Sequence, residues 1–158
     1  MGQKLLALRS TLSGIGTVLL DTSVLIYHFE AVEPYYALTR EIFRAIGSGQ
    51  VEGVISVVSV TEFVVKPFGD GKLSAVEHFK RFITSLAIQV LSPNYEMAER
   101  AGKLRAHYQS LRTADALVVS TALESECDAV VTNDTDLKKL EAEGITVVIL
   151  SDFVERSS

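Results

Sequence analysis

The stretch TVLLDTSVLIYHFE, residues 17–30, poses the question that decides both fold and function. Its first four residues, Thr17–Leu20, are apolar or β-branched and predict a short buried strand. Asp21 follows directly, and the hydroxyl residues Thr22 and Ser23 come next, before the pattern becomes helical. An acid between a strand and a helix has two explanations: it caps the helix, or it belongs to a site that holds a charged ligand.

Length and composition indicate a single domain. The chain has 158 residues, enough to bury a sizeable core, and no uncharged stretch, residues 10–20 included, is long enough to span a membrane. One cysteine allows neither an internal disulfide nor a multi-cysteine zinc site, and fits a reducing, cytoplasmic location. We interpret residues 1–16 as a loose N-terminal extension rather than a targeting peptide, and residues 17–158 as one domain.

Short apolar blocks alternate with longer amphipathic ones along the chain. The predicted strands are residues 17–20, 54–58, 88–91, 129–132 and 146–150. The predicted helices between the strands are residues 34–48, 59–66, 73–86, 94–109, 113–126 and 135–143, with the sequence PFGDG as a turn after residue 66. Strands that alternate with helices predict an α/β domain with a parallel five-stranded sheet and right-handed crossovers.

Five acids are predicted to lie at one edge of this sheet, where the strands of an α/β domain end and ligands bind. Asp21 follows the first strand, and Glu62 lies one turn into the helix that leaves the second. Asp134 and Asp136 follow the fourth strand. Asp115 lies near the start of the helix that leads into the fourth strand. Because that helix must end where the fourth strand begins, it starts at the opposite edge of the sheet, where the strands end, so Asp115 is expected at this edge as well.

Each acid alone also fits a helix-capping role. Residues 59–62 (SVTE) match a capping box with Ser59 as the N-cap, and the four aspartates fit N-cap or first-turn positions. Capping does not require all five acids at the same edge, however. Only Arg112 and Lys138 among the basic residues stand near them in sequence, and clustered carboxylates without cations repel one another. A divalent cation removes that conflict.

The candidate ligands are all oxygen atoms, because no histidine stands close in sequence to any of the five acids. Oxygen ligands favour Mg²⁺ or Mn²⁺ over zinc. Since Mg²⁺ usually completes its shell with substrate phosphate oxygens, the expected substrate is a phosphodiester or a phosphoester.

Four motifs together resemble the PIN domain family, most closely the VapC-type toxin ribonucleases. The motifs are DTSVLI, SVTEF, ADALVVSTAL and VVTNDTDL, in this order. The resemblance implies a three-layer α/β/α sandwich and an acidic pocket that uses Mg²⁺ or Mn²⁺ to cut single-stranded or looped RNA. It also implies a homodimer, and a small antitoxin protein as partner.

The family's roles can be transferred residue by residue. Asp21, Glu62, Asp115 and Asp134 match its acidic quartet, and Asp136 matches an additional acid of some members. Thr22 or Ser23 matches the small polar residue beside the first acid. Two features depart from the family pattern: Leu137 replaces a frequent phenylalanine after the last acid, and the segment before the first strand is longer than usual.

A net charge of −5 by itself argues against a nucleic-acid binder, but the objection weakens when the predicted site acids are considered separately. Setting the five site acids aside leaves 15 acidic residues against 15 basic ones. The candidate contacts with RNA phosphates are Lys66, Lys72, Lys80, Arg81 and Arg112, and each of them also fits an ordinary solvated helix face.

Four other functions share part of this pattern. A haloacid-dehalogenase-type phosphatase needs a second aspartate two positions after the first, where this chain has Ser23. A receiver domain needs an aspartate after its third strand, where this chain reads LSPNY. A PIN-like RNA-processing nuclease outside toxin–antitoxin systems, or an inactive binding module of the same fold, remains as an alternative, and the presence of the complete quartet argues against the inactive module.

Overall fold

The fold is built on one five-stranded parallel sheet, seen in a computed structural model that describes residues 2–156. Its strands are β1 (Thr17–Leu20), β2 (Glu52–Ser56), β3 (Gln89–Leu91), β4 (Ala129–Thr132) and β5 (Thr146–Ile149). They lie in the order β3-β2-β1-β4-β5. The shared central strand is β1, in which Leu19 pairs with Val54 of β2 and Val130 of β4.

Helices connect the strands and flank the sheet. They are α1 (Gln3–Ser13), α2 (Thr22–Phe29), α3 (Tyr35–Gly47), α4 (Val57–Gly69), α5 (Leu73–Ser85), α6 (Tyr95–His107) and α7 (Thr113–Glu124), with 3₁₀ helices at Thr135–Glu143 and Leu150–Phe153. Within residues 2–156, none of these helices has the length and apolar character that a membrane crossing requires.

The sheet separates two hydrophobic cores, because successive side chains of a strand point to opposite faces. Val18 and Leu20 of β1 belong to a core formed with α1 to α5. Leu19 belongs to a second core formed with α6, α7 and the 3₁₀ helix at Thr135–Glu143. The predicted three-layer α/β/α sandwich with a parallel five-stranded sheet is therefore confirmed.

The boundary between β2 and α4 lies earlier than the sequence pattern predicted. The strand ends at Ser56, whose hydroxyl accepts a hydrogen bond from the Val58 N–H at 3.1 Å and caps α4. The predicted N-cap, Ser59, instead lies inside the helix, fully buried, and its hydroxyl has no hydrogen-bond partner within the described residues. The capping-box interpretation of residues 59–62 is therefore wrong.

The predicted PFGDG turn is only partly a turn. Pro67 lies inside the last turn of α4, where a missing N–H removes few helical hydrogen bonds. The reversal falls on the residues between α4 and α5, and Gly71 adopts a φ of 68° there, a left-handed conformation that favours glycine.

The N-terminal segment is not loose. Leu8 and Leu12 of α1 are fully buried in the core that includes α3. Arg9 donates two hydrogen bonds to the carboxylate of Glu41 on α3, at 2.7 and 3.0 Å, and Arg44 donates to the same carboxylate at 2.7 Å. Hydrogen bonds from Arg9 and then Arg44 lower the pKa of Glu41 to about 2.

An aromatic cluster fills the space between α2, α3 and α5. The His28 ring lies 4.5 Å from Phe43 and 5.4 Å from Phe82, centroid to centroid. Its Nδ1 bonds to the Thr39 hydroxyl at 3.0 Å. Burial, and then the charge of Arg40, lowers the pKa of His28 to about 4, so the ring is packed in its neutral form.

Candidate active site

The carboxyl ends of β1 and β4 lie side by side in the middle of the sheet, because Leu20 pairs with Val131. The chain passes from β1 to β2 on one side and places β4 on the other, so this boundary is where the strand order reverses. α/β sheets bind ligands at such a switch point. Asp21 follows β1 at this boundary, and Asp134 follows β4 after one intervening residue.

Asp21 is a buried carboxylate held by two hydrogen bonds. It is only 8% exposed, and its oxygens accept from the Thr22 N–H and the Thr132 hydroxyl, each at 2.8 Å. Burial raises the pKa of Asp21 above its usual value, although both hydrogen bonds lower it. The negative charges of Asp115 and Glu62 raise it further.

Thr22 and Ser23 connect Asp21 to the neighbouring elements. The Thr22 hydroxyl donates to Oε1 of Glu62 on α4 at 2.7 Å. The Ser23 hydroxyl accepts from the Asn133 N–H after β4 at 3.2 Å. The first turn of α2 therefore links α4 to the end of β4, and Thr22 orients the Glu62 carboxylate.

Asp134 is tied to Asp21 through one hydroxyl group. The Thr132 hydroxyl that donates to Asp21 also accepts from the Asp134 N–H at 3.1 Å. Asp134 in turn caps the 3₁₀ helix by accepting from the Asp136 N–H at 3.0 Å. The Asp136 carboxylate is 71% exposed and pairs with Lys139 at 3.8 Å, so it faces solvent.

Asp115 lies in the first turn of α7, where its side chain is 12% exposed. Its Oδ2 accepts from Nε of Arg112, the N-cap residue of the same helix, at 3.0 Å. This bond raises the pKa of the Arg112 guanidinium, and the charges of Glu62 and Asp134 raise it further. The structure therefore places Arg112 within reach of three of the predicted site acids.

The donor set fits a hard divalent cation that keeps much of its water. Asp21, Glu62, Asp115 and Asp134 supply only carboxylate oxygens, and within residues 2–156 a single ion pair, that of Arg112, compensates them. In the same part of the chain, no three acidic, histidine or cysteine side chains are grouped closely enough to hold one ion between them. Mg²⁺ is usually bound by one or two carboxylates with waters and substrate phosphates, so this arrangement suits it. Ligation of one metal by all five acids stays a prediction.

The candidate phosphate contacts divide into two groups. Lys66 and Lys72 line the groove between α2, α4 and α5 that also contains Glu62, and Lys66 pairs with Glu30. Lys80 and Arg81 are exposed on α5 and lie outside that groove as the described residues define it. Of the five candidate cations, Arg112 therefore contacts a site acid, and Lys66 and Lys72 share a groove with one.

Sequence reasoning missed the residues that hold the acids in place. Thr132 joins Asp21 to Asp134, as described above. The Asn133 side chain donates to the Tyr27 hydroxyl at 3.1 Å and accepts from the Ser151 N–H at 2.9 Å. A signal was present, since Thr132 and Asn133 stand between β4 and Asp134 in the quoted motif VVTNDTDL.

The chain belongs to the PIN domain family, whose model matches residues 18–143. Proteins of this family are generally nucleases. The matched region contains all five predicted site acids and excludes α1.

Solved structures show the same fold. A toxin–antitoxin complex from Klebsiella pneumoniae contains a chain of 21% identity with a TM-score of 0.64, covering 84% of this chain and 97% of that one. A chain of VapBC-1 from nontypeable Haemophilus influenzae has 16% identity and a TM-score of 0.65, covering 85% of this chain and 98% of that one. VapC20 from Mycobacterium tuberculosis, a sarcin–ricin loop cleaving toxin, has 14% identity and a TM-score of 0.63, covering 82% of this chain and 96% of that one. At these identities the likeness establishes the fold alone. Among curated protein sequences, none matches the chain significantly.

Proposed function

We propose that this chain is a Mg²⁺- or Mn²⁺-dependent endoribonuclease that hydrolyses RNA phosphodiester bonds at Asp21, Glu62, Asp115 and Asp134. The observation that carries the proposal is the state of Asp21. It is a buried carboxylate beside two other acids, and within residues 2–156 it has no ion-pair partner. Burying a carboxylate without a cation is costly, and a divalent metal removes that cost.

In this proposal one or two carboxylates among Asp21, Glu62, Asp115, Asp134 and Asp136 ligate the metal directly, and the remaining acids act through its bound waters. When bound, it supplies a water of lowered pKa and stabilises charge on the phosphate oxygens. The residues of the chain orient these groups: Thr132 holds Asp21 and the backbone at Asp134, and Thr22 holds Glu62.

RNA is the proposed substrate because basic side chains accompany the acidic site. Lys66 and Lys72 line the groove that also contains Glu62, and Arg112 lies against Asp115. Neutralising a few phosphates is enough for salt-sensitive binding without recognition of bases. Lys80 and Arg81 extend the proposed binding surface along α5.

We further propose that the enzyme is the toxin of a toxin–antitoxin pair in the cytoplasm, acting as a homodimer. Support comes from the PIN family membership and from the Klebsiella and Haemophilus structures, which are toxin–antitoxin assemblies with this fold. The partner is then a small antitoxin protein. Co-purification with the product of a neighbouring small reading frame, and inhibition by it, tests this part of the proposal.

The nuclease proposal is tested with metal-stripped protein and a labelled RNA hairpin. We expect cleavage with Mn²⁺ or Mg²⁺ and none after addition of excess EDTA, with activity restored when metal is supplied again. Cleavage that continues in EDTA would contradict the metal dependence. An absence of cleavage on hairpins and on total cellular RNA, with Mn²⁺ bound to the protein, would favour the inactive binding module.

A further inference from the structure

Arg112 is placed to pair with the acidic site from within the same chain. It is the N-cap residue of α7 with an extended backbone, φ −75° and ψ 156°, and its side chain returns over the first helical turn. There its Nε lies 3.0 Å from Oδ2 of Asp115, three residues later. The contact is therefore a consequence of where α7 begins.

The other ion pairs among the described residues involve acids outside the quartet. Lys66 pairs with Glu30, Lys138 with Glu141 and Lys139 with Asp136. Arg9 and Arg44 share Glu41, and Arg100 pairs with Glu124. Within residues 2–156, Arg112 is thus the one cation in an ion pair with Asp21, Glu62, Asp115 or Asp134.

The two partners of this ion pair differ in exposure. The Asp115 side chain is 12% exposed and the Arg112 side chain is 75% exposed. A largely buried carboxylate needs a compensating charge, whereas an exposed guanidinium is well solvated after it leaves. Arg112 therefore compensates the charge of Asp115, and it can leave at little cost in solvation when another cation takes its place.

We propose that Arg112 is a displaceable counter-ion: it neutralises Asp115 until a divalent metal binds and then turns to a phosphate of the RNA. This inference rests on the proposed function, because it assumes that metal and RNA meet at these acids. Metal and guanidinium compete for the same carboxylate oxygens. Once released, the planar guanidinium, with its several N–H donors, suits a phosphate oxygen pair beside the metal.

The test measures metal affinity rather than activity. Mn²⁺ is titrated calorimetrically into metal-stripped wild type, Arg112→Gln and Lys138→Gln. The Lys138–Glu141 pair has the same three-residue spacing at 3.3 Å but involves no quartet acid, so it controls for loss of one positive charge. We expect Arg112→Gln to bind Mn²⁺ about threefold more tightly than wild type, the scale of a partly exposed ion pair, and Lys138→Gln to match wild type.

The release of Arg112 from Asp115 can be followed separately by NMR. The Nε–H resonance of Arg112, assigned by its loss in Arg112→Gln, is expected to shift when Mg²⁺ saturates the protein. Equal Mn²⁺ affinities in all three proteins, or an Arg112 resonance that Mg²⁺ leaves unchanged, would overturn the inference alone. Failure of every protein to bind Mn²⁺ would instead overturn the proposed function.

Discussion

Two carboxylates of this protein are almost equally buried but have opposite surroundings. Glu41, 6% exposed, accepts hydrogen bonds from Arg9 and Arg44, which lower its pKa to about 2. Asp21, 8% exposed, accepts only from a hydroxyl and a backbone N–H, and its burial raises its pKa. The two side chains have similar solvent exposure, but desolvation dominates only at Asp21, and only Glu41 has cations as partners.

This difference separates a structural acid from a candidate ligand. The charge of Glu41 is compensated by the protein itself, so the carboxylate fastens α1 to α3 and has no need of a further cation. The charge of Asp21 is compensated only by dipoles and is opposed by neighbouring acids. A divalent metal would compensate the charge of Asp21, whereas the charge of Glu41 is already compensated.

The largest effect is expected from Asp21→Asn, which should reduce metal-dependent RNA cleavage at least about 100-fold, the scale for loss of one charge-stabilising group. The fold should persist, because an amide oxygen can accept from Thr22 and an amide nitrogen can donate to the Thr132 hydroxyl. Rates on a labelled RNA hairpin with Mn²⁺, and melting temperatures in EDTA, measure the two outcomes. Asp115→Asn is expected to behave alike.

The stability of Asp21→Asn also distinguishes a metal ligand from a helix cap. In EDTA the variant should melt at a higher temperature than wild type, because a buried uncompensated charge has been removed. A loss of about 1 kcal/mol, as for removal of an ordinary N-cap, would support the capping explanation. Wild-type cleavage by both aspartate variants would exclude the metal site.

The matched variant Glu41→Gln should lower the stability of the fold and leave the metal site unaffected. We expect the free energy of unfolding in urea to fall by about 2 kcal/mol, less than for a fully buried pair because Arg9 and Arg44 are partly exposed. Mn²⁺ affinity and cleavage should stay at wild-type values. Because the pKa of Glu41 is lowered by folding, its contribution is present above pH 4.5 and is lost as the pH falls toward 2. A pH-independent difference between the two proteins would contradict this origin.

Thr132→Val tests whether the hydroxyl between Asp21 and Asp134 orients the site. Losing a residue that orients a metal ligand typically weakens metal binding by 10- to 100-fold, and about tenfold is expected for Mn²⁺ here. The control is Thr121→Val, which removes another buried hydroxyl, one that bonds only within α7 to the Leu117 carbonyl. Equal Mn²⁺ affinity in the two variants would show that Thr132 has no orienting role.

The smallest effect concerns His28, in the aromatic cluster away from the acids. Folding lowers its pKa from 6.5 to about 4, so the stability it contributes is present above pH 6.5 and is lost as the pH falls toward 4. With allowance for partial exposure, the loss by pH 5 is about 1 kcal/mol. Urea unfolding of wild type and His28→Phe at pH 7 and pH 5 measures it, and identical pH dependence in both would refute it.

Sequence patterns predicted the strand frame because buried parallel strands are nearly continuous apolar runs. The bounds of β1 and β4 agree with the prediction, and the acids after these strands follow from the topology. The start of α4 was placed too late, because Val57 and Val58 suit a strand by composition while Ser56 caps a helix by tertiary context.

Long-range partners were beyond the reach of sequence patterns. The docking of α1 depends on Glu41, 32 residues from Arg9, and no local pattern indicates that pair. The hydrogen bond from Thr132 to Asp21 joins residues 111 apart. Short-range contacts were more accessible in principle: Arg112 and Asp115 are one helical turn apart, although the sequence alone did not show that the arginine would turn back over α7.

The most direct test of the account is to locate the metal. Crystals of the protein soaked in Mn²⁺ and measured near the manganese absorption edge should show an anomalous peak at the carboxyl edge, about 2.2 Å from an oxygen of Asp21 or Asp115. The same soak of Asp21→Asn should show a weaker peak or none. An undiminished peak in the variant, or a wild-type peak only at other acids such as Glu41, would contradict the claim that Asp21 is a metal ligand.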